Sequence, residues 1–234
     1  MYFMYMNKYY MIGTIFVIIA AIIMMIAQGK VTSNYNRYSK VPVRSGMTGA
    51  MVARRILDSN GLNDIPVNAV RGRLTDHYDP RKRTINLSEG IYNNASIAAV
   101  AVAAHECGHA IQHATGYKPL TFRNAILPFC NIGQYLGWIA IVIGLIVGNT
   151  NFAWIGVILM CGILVFQIAT LPVEFNASSR ALVILSGEGY LQGGEISGAK
   201  NMLSAAALTY VAGLLSTLMS LLRIVLMVIG NDRN

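Results

Sequence analysis

Charged residues and cysteines are both scarce in this chain of 234 residues. Only 12% of the residues are charged, whereas 55% are hydrophobic. An ordinary soluble domain carries about 25% charged residues, so the composition argues against that class. The three cysteines show no C-x-x-C spacing, which excludes a disulfide framework. We expect them to be reduced and to behave as small hydrophobic residues.

Four long apolar runs account for this composition: Met11–Ala27, Phe129–Val147, Phe152–Leu171 and Leu203–Leu222. Each is close to the ~20 residues that a helix needs to cross the ~30 Å hydrocarbon layer of a bilayer. The first run is longer than the apolar core of a signal peptide, and no A-x-A cleavage site follows it. We therefore expect a retained anchor and a multi-pass membrane protein.

Basic residues are distributed unevenly around these runs. Of the 18 Lys and Arg residues, 13 fall between Lys30 and Arg123. Basic loops stay on the cytoplasmic side of a membrane, so 30–128 and 172–202 are predicted to face the cytoplasm and both chain ends to face outward. The predicted organisation is an anchor at 1–29, a cytoplasmic catalytic segment at 30–128, a transmembrane hairpin at 129–171, a cytoplasmic return segment at 172–202, and a last transmembrane helix and tail at 203–234.

The net charge of +8 is interpreted as membrane orientation and contact with anionic headgroups. No basic cluster is interleaved with aromatic residues, so no nucleic-acid partner is expected. A phosphate-binding loop and a pair of carboxylates are also lacking. Small residues in the fourth run, such as Ala206 and Gly213, would allow close helix packing within one chain or in a homo-oligomer.

Residues 105–109 read His-Glu-Cys-Gly-His, an H-E-x-x-H pattern. Positions i and i+4 share one face of a helix, so His105 and His109 can offer two imidazoles to one zinc ion, with Glu106 placed to accept a proton from water. The preceding residues are rich in Ala and contain no Pro or Gly, which favours a helix. Cys107 is predicted to point away from the metal. The pattern indicates a metal hydrolase.

Short elements are predicted before this motif. Thr48–Asn60 has the apolar periodicity of a helix, and Val67–Val70 and Arg83–Leu87 are candidate strands joined through a turn-like Asp76–Pro80. Ser96 is placed to cap the motif helix. The predicted fold is mainly α, with four transmembrane helices and a small zincin-like α/β cytoplasmic domain that carries the H-E-x-x-H helix.

Two imidazoles leave a zinc site one ligand short. His113 is a poor candidate, because imidazoles at i, i+4 and i+8 extend ~12 Å along a helix and cannot all reach one ion. Glu174 is better placed, since it follows the third apolar run on the predicted cytoplasmic side and His2Glu is a known zinc ligand set. The predicted ligands of one Zn²⁺ per chain are therefore His105, His109 and Glu174.

Three separated motifs resemble the YugP-type bacterial membrane zinc metallopeptidases, a neutral zinc metallopeptidase family. They are the pentad within A-A-H-E-x-G-H-A-I-Q-H, the upstream segment Leu74–Pro80, and P-x-E-F-x-A-S-x-R-A beginning at Pro172. The likeness covers most of the chain from about Thr48 to Leu221. More distantly, the chain is similar to the HtpX and CAAX-processing membrane proteases of the gluzincin type.

The resemblance implies a zincin-like domain with His105, His109 and Glu174 on zinc and Glu106 as the catalytic base. One position departs from the wider gluzincin pattern E-x-x-x-D. Ser178 stands four residues after Glu174, where a carboxylate usually orients a zinc-bound imidazole. The candidates for this orienting role are Ser178, Asp76 and Asp79.

Peptide hydrolysis also requires a donor for the oxyanion of the tetrahedral intermediate, in addition to the metal. The candidates are His77, Tyr78 and Arg180. His77 is favoured because the strand and turn before a motif helix usually border the cleft. The alternative is that His77 is a turn residue hydrogen-bonded to its own backbone.

The predicted function is that of a zinc-dependent metallopeptidase in the cell membrane, with its active site facing the cytoplasm and acting on peptides or membrane proteins. Two alternatives stay open. An intramembrane-cleaving metalloprotease is permitted by the apolar stretch Ile97–Ala104. A non-hydrolytic zinc-binding membrane protein is the other, but a structural zinc site has no need of the base Glu106 and normally closes with a fourth protein ligand.

Overall fold

The computed structural model describes residues 2–232 of the backbone and the side chains of residues 8–231. Over this range the chain forms seven helices and one three-stranded sheet. In order they are α1 (Tyr2–Tyr38), α2 (Gly49–Ser59), β1 (Val67–Val70), β2 (His77–Asp79), β3 (Thr84–Ser88), α3 (Glu89–Tyr92), α4 (Ile97–Ala114), α5 (Lys118–Val147), α6 (Thr150–Gly187) and α7 (Gly194–Asp232).

The chain divides into two compact units. The helical unit contains the residues up to Ala27, Phe122–Leu171 and the residues from Thr209 onward. The sheet-containing unit consists of Gln28–Thr121 and Pro172–Leu208. The long helices α1, α5, α6 and α7 contribute residues to both units.

The core of the sheet-containing unit lies between α2 and α4. Apolar residues of α2 recur every three or four positions, and Val52, Ile56 and Leu57 are completely buried. They pack in one core with the alanine-rich first turns of α4. Burying such an aliphatic side chain stabilises a fold by about 1.5–3 kcal/mol, so this amphipathic pattern fixes α2 against the helix that carries the histidines.

The sheet has the strand order β1-β3-β2, with β1 parallel and β2 antiparallel to β3. The strand β2 is therefore an edge strand. This corrects the expectation of a turn at Asp76–Pro80, because His77, Tyr78 and Asp79 pair with Asn86, Ile85 and Thr84. A strand of three residues followed by proline carries too short a pattern to be recognised before its partner is known.

The other predicted elements of this unit agree closely with the structure. The helix predicted at Thr48–Asn60 is α2, with Thr48 accepting a hydrogen bond from Met51 N and Asn60 as its C-cap. The side chain of Ser96 caps α4 by accepting from Ala99 N. The strand predicted at Arg83–Leu87 is β3. It begins one residue later than predicted, because Arg83 has a φ of 53° and belongs to the preceding turn.

The helical unit exposes an apolar surface. In the described part of the chain, four helices are long and apolar enough to cross a membrane: Lys8–Tyr38, Lys118–Val147, Thr150–Gly187 and Gly194–Asn231. Large hydrophobic side chains point outward, with Phe129 75% and Ile146 78% exposed. Within this unit α5 and α6 approach closely through Gly137 and Gly156, as small residues allow in membrane helices.

The four helices are longer than the apolar runs within them. Glu174 follows the third run in the sequence and lies inside the same continuous helix, α6. Pro172 lies inside the same helix and removes only one backbone donor. The boundaries predicted for the two cytoplasmic segments, 30–128 and 172–202, stay predictions.

Within the sheet-containing unit, α4 and the last turns of α6 make an unusually close contact. A Cβ atom added at Gly108 would lie only 2.8 Å from the backbone oxygen of Ala177, which is itself completely buried. A side chain at position 108 would therefore push the two helices apart.

We predict that Gly108→Ala lowers the thermal midpoint Tm by several degrees. Overpacking costs about 1–3 kcal/mol, and each kcal/mol shifts Tm by about 2–4 °C in a chain of this size. Thermal unfolding of the purified protein in detergent measures the effect. The matched control is Gly29→Ala, since Gly29 is helical and has no neighbour within 4 Å. Equal Tm values for both variants would contradict the close-contact argument.

Candidate active site

Three side chains from two helices converge in the sheet-containing unit. His105 and His109 project from successive turns of α4, and Glu174 projects from α6. The Oε2 atom of Glu174 lies 3.4 Å from His105 Nε2 and 3.5 Å from His109 Nε2. One potential ligand atom from each residue lies within 4.8 Å of the others, and no other such cluster of three or more was found among the described residues.

The spacing of these atoms fits a zinc ion. Tetrahedral zinc with bonds of about 2.0–2.1 Å separates its ligand atoms by about 3.3–3.4 Å. The two distances from Glu174 are 3.4 and 3.5 Å, longer than the 2.7–2.9 Å of a charge-assisted hydrogen bond. Two imidazoles and a carboxylate are also a common zinc ligand set. The structure thus brings together all three residues predicted to bind the metal.

The electrostatic environment of the cluster favours a cation. Burial alone would lower the pKa of His109, but the neighbouring carboxylates of Glu174 and Glu106 outweigh it and raise that pKa above its ordinary value. A positive charge at the imidazole, carried by a proton or by a metal ion, is therefore stabilised. Metal and proton compete for the same ring nitrogen.

A buried glutamine orients one of the imidazoles. Gln112 is completely buried, and its Nε2 donates to Val173 O at 2.8 Å and to Asn176 Oδ1 at 3.0 Å. Its Oε1 must then be the acceptor that lies 3.1 Å from His109 Nδ1. His109 therefore carries a proton on Nδ1, and Nε2 is the ring nitrogen that faces Glu174 and is left to bind either a proton or the metal.

A serine performs the equivalent role for the other imidazole. Ser178 Oγ lies 3.2 Å from His105 Nδ1, which identifies it among the three candidates proposed from the sequence. The carboxylate of Asp76 instead accepts hydrogen bonds from Ser88, and that of Asp79 accepts from the backbone of the turn that follows it. A hydroxyl thus takes the place in which metal-binding histidines often meet a carboxylate.

Glu106 is buried beside the cluster and held by the sheet. Its Oε2 accepts a hydrogen bond of 2.9 Å from the backbone N–H of Tyr78 in the edge strand β2. Cys107 lies away from the cluster, with its thiol 3.6 Å from Ala53 O. Burial raises the pKa of this thiol well above its ordinary value, so it stays protonated and is suited neither to metal binding nor to nucleophilic attack.

Two of the candidates for oxyanion stabilisation, His77 and Arg180, are hydrogen-bonded to neighbouring residues of the protein. The ring of His77 faces Thr75 O at 2.8 Å and the Asn86 amide at 3.2 Å. This geometry matches the alternative in which His77 is bonded to its own local backbone, and its catalytic role stays a prediction. Arg180 donates to Asn176 Oδ1 at 2.8 Å, which connects it to the network around Gln112.

Two functional contacts were not anticipated from the sequence. Gln112 follows His109 by three residues, so the two side chains share a helix face, and this spacing could have suggested the contact. The contact of Glu106 with the Tyr78 amide had no such signal, because it depends on the pairing of β2. His113, which the sequence made a poor candidate for a ligand, is hydrogen-bonded to the Tyr78 hydroxyl at 2.8 Å.

Four long apolar helices and a cluster of two histidines and one glutamate are typical of a membrane zinc metallopeptidase. Comparison with known proteins agrees with this class. The chain belongs to the family described as "Putative neutral zinc metallopeptidase", which matches residues 13–229. It is similar to the "Putative membrane protease YugP" of Bacillus subtilis (strain 168), with 49% identity over 222 residues that cover 94% of this chain and 99% of that protein. No solved structure matches the chain.

We predict that Gln112→Met weakens zinc binding by about 10- to 100-fold, the usual effect of losing a group that orients a ligand. Methionine has a similar length, but its thioether sulfur is only a weak acceptor for the N–H of His109 Nδ1, and it has no N–H to donate to Val173 O. Competition with a chelator measures the affinity. Gln192→Met, at an exposed position, is the control and should bind zinc as the wild type does. Wild-type affinity in Gln112→Met would refute the orienting role.

Proposed function

We propose that this protein is an integral-membrane, zinc-dependent metallopeptidase. His105, His109 and Glu174 hold one zinc ion, and Glu106 is the general base. The observation that carries the proposal is the spacing of the three ligand atoms, together with a buried carboxylate from the residue next to His105. The family membership supports the same reaction class.

The roles of the protein groups follow from their contacts. Zinc bound at this site would polarise the scissile carbonyl and lower the pKa of a water molecule toward ~7. The Tyr78 amide holds Oε2 of Glu106 and so fixes the carboxylate that accepts the proton of the attacking water. Glu106 then returns this proton to the leaving amine, acting as base and afterwards as acid. Gln112 and Ser178 keep the two imidazoles in the tautomer and orientation that bind metal.

The protein is proposed to span the cell membrane four times, with the sheet-containing unit in the cytoplasm. Two observations support this placement. The four long helices carry exposed apolar side chains that water would disfavour. In addition, 13 of the 18 basic residues lie between Lys30 and Arg123, in agreement with the positive-inside rule. The proposed substrates are peptides or membrane proteins close to the membrane surface.

The two alternative functions have less support. Cleavage within the bilayer would require the histidine pair at membrane depth, but α4 is not among the helices of the described part of the chain that are both long and apolar enough to span a membrane. A non-hydrolytic zinc site has no use for a carboxylate beside the ligands. Glu106 places a carboxylate beside the ligands, and the Tyr78 amide holds it by a 2.9 Å hydrogen bond.

Glu106→Gln is expected to retain zinc and to lose peptide hydrolysis by at least about 100-fold, because the amide cannot accept the proton. His105→Ala should lose both zinc and hydrolysis. Metal analysis and peptide cleavage, with and without chelator, measure these effects on purified protein. Glu89→Gln, an exposed residue of the same unit, is the control. Undiminished cleavage by Glu106→Gln would remove the base assignment.

The orientation of the protein in the membrane is tested with cysteines introduced one at a time. The background lacks Cys161, which is exposed, and keeps Cys107 and Cys130, which are buried. A cysteine at Asn149, in the turn between α5 and α6, should react with a membrane-impermeant reagent in intact cells. A cysteine at Lys82 should react only after the membrane is opened. The reverse pattern would contradict the proposed orientation.

A further inference from the structure

One arginine lies within the apolar part of the last helix. Arg223 follows the apolar run Leu203–Leu222 of α7, and the helix continues beyond it with apolar residues at 224–230. A charged side chain in such a segment is costly in a bilayer, and it usually pairs with another group or reaches the headgroups. The surroundings of Arg223 therefore show which kind of group can neutralise its charge.

The helical unit offers this arginine no counter-ion. Its sequence contains one acidic residue, Asp232, which lies about 14 Å further along α7. None of the ion pairs among the described residues includes Arg223. Its Nε atom is buried and has no hydrogen-bond partner within the same range. The positive charge is thus available to an anion from outside the chain.

The first helix holds the side chain of Arg223 in place. A Cβ atom added at Gly13 would lie 2.8 Å from Arg223 Cγ and 3.2 Å from its Cα, so α1 and α7 pack closely at this level. The guanidinium carbon lies 5.6 Å from the centroid of the Tyr10 ring, within the range of a cation–π contact. Ser216 joins the same two helices by donating to Ala20 O at 3.3 Å. The position of the guanidinium is therefore set by both helices.

Arg223 and Tyr10 lie toward one end of the apolar unit. Arg223 is about 21 Å along α7 from Thr209, and Tyr10 is about 26 Å along α1 from Ala27, where the two helices enter the unit. In a hydrocarbon layer of ~30 Å, both residues would lie within about 10 Å of the edge nearer the chain termini. A long arginine side chain can reach the headgroups from such a depth.

Exposed apolar side chains lie on both helices near the charge. Met11 and Ile15 on α1 are 56% and 51% exposed, and Leu222 on α7 is 38% exposed. Such side chains are suited to contact with acyl chains. A phosphate, in turn, can accept two parallel hydrogen bonds from the planar guanidinium of an arginine. A phospholipid carries both of these groups in one molecule, whereas inorganic phosphate lacks the acyl chains.

We infer that Arg223 and Tyr10 form a binding site for the phosphate group of a membrane phospholipid, whose acyl chains cover the exposed apolar residues of α1 and α7. The inference rests on the membrane-spanning part of the proposed function and not on the peptidase reaction. The alternative is a guanidinium that is only hydrated at the membrane surface. A lipid bound between α1 and α7 stabilises the folded protein, because it binds that state alone.

The test uses the full-length protein, purified in detergent and freed of lipid. The probes are phosphatidylglycerol with short acyl chains, the diacylglycerol with the same chains, and inorganic phosphate. The thermal midpoint Tm is measured as each probe is added, and the concentration at half of the maximal rise gives the apparent affinity. The wild type should respond to phosphatidylglycerol and far less to the other two probes, because only the phospholipid carries both the phosphate and the chains.

Substitutions identify the residues that bind the phosphate. Arg223→Gln should weaken the affinity for phosphatidylglycerol by at least about 10-fold, as expected for the loss of a hydrogen bond to a charged group. Arg223→Lys should be intermediate, since an ammonium keeps the charge but lacks the planar fork. Tyr10→Leu should weaken binding by about 2- to 5-fold through the loss of the ring contact. The matched control is Lys200→Gln, which removes an equal charge from an exposed position of α7 outside the helical unit and should bind as the wild type does.

Three results would overturn the lipid site. They are an equal response of the wild type to phosphatidylglycerol and to diacylglycerol, an equal response to inorganic phosphate, and equal affinities of Arg223→Gln and Lys200→Gln. If Arg223→Gln does not fold, wild-type affinity in Arg223→Lys would overturn the site instead. Release of the protein from membranes without detergent would contradict the membrane-spanning proposal itself, so the two failures are distinguishable.

Discussion

The site depends on the close contact between α4 and α6 within the sheet-containing unit. Gly108 lets the backbone of Ala177 approach α4, and Gln112 joins the two helices by donating to Val173 O. Glu174 lies between these two contacts on α6, so its carboxylate is brought to the imidazole pair. The contact forms only when the chain folds, because the proposed metal ligands come from segments more than sixty residues apart in the sequence.

This arrangement separates two tasks among neighbouring residues of one helix. His105, Glu106 and His109 face the candidate metal site, whereas Cys107 and Gly108 face the protein interior. The thiol of Cys107 packs near α2, and Gly108 receives α6. All five residues of the pentad are therefore constrained, although only three of them have side chains that act in the proposed chemistry. Additional constraints come from the hydrogen bonds of Gln112, Ser178 and the Tyr78 amide, which orient groups that would otherwise rotate.

Local patterns were sufficient to predict much of the fold. The periodicity and caps of Thr48–Asn60, the apolar runs, and the i, i+4 spacing of His105 and His109 depend on neighbouring residues, and the structure agrees with them. The strand β2 and the continuity of α6 through Pro172 could not be predicted in this way. Each depends on tertiary context, since β2 exists only through its pairing with β3. The same reason explains why Ser178 could not be separated from Asp76 and Asp79 before the helices were placed.

The central claim is that zinc is held by two imidazoles of α4 and by the carboxylate of Glu174. Zinc K-edge X-ray absorption of the wild type and of Glu174→Ala tests it most directly. We predict that the wild-type spectrum contains only nitrogen and oxygen ligands at about 2.0–2.1 Å, and that Glu174→Ala loses the protein carboxylate and binds zinc more weakly. Sulfur at about 2.3 Å, or an identical spectrum and affinity in Glu174→Ala, would contradict the account.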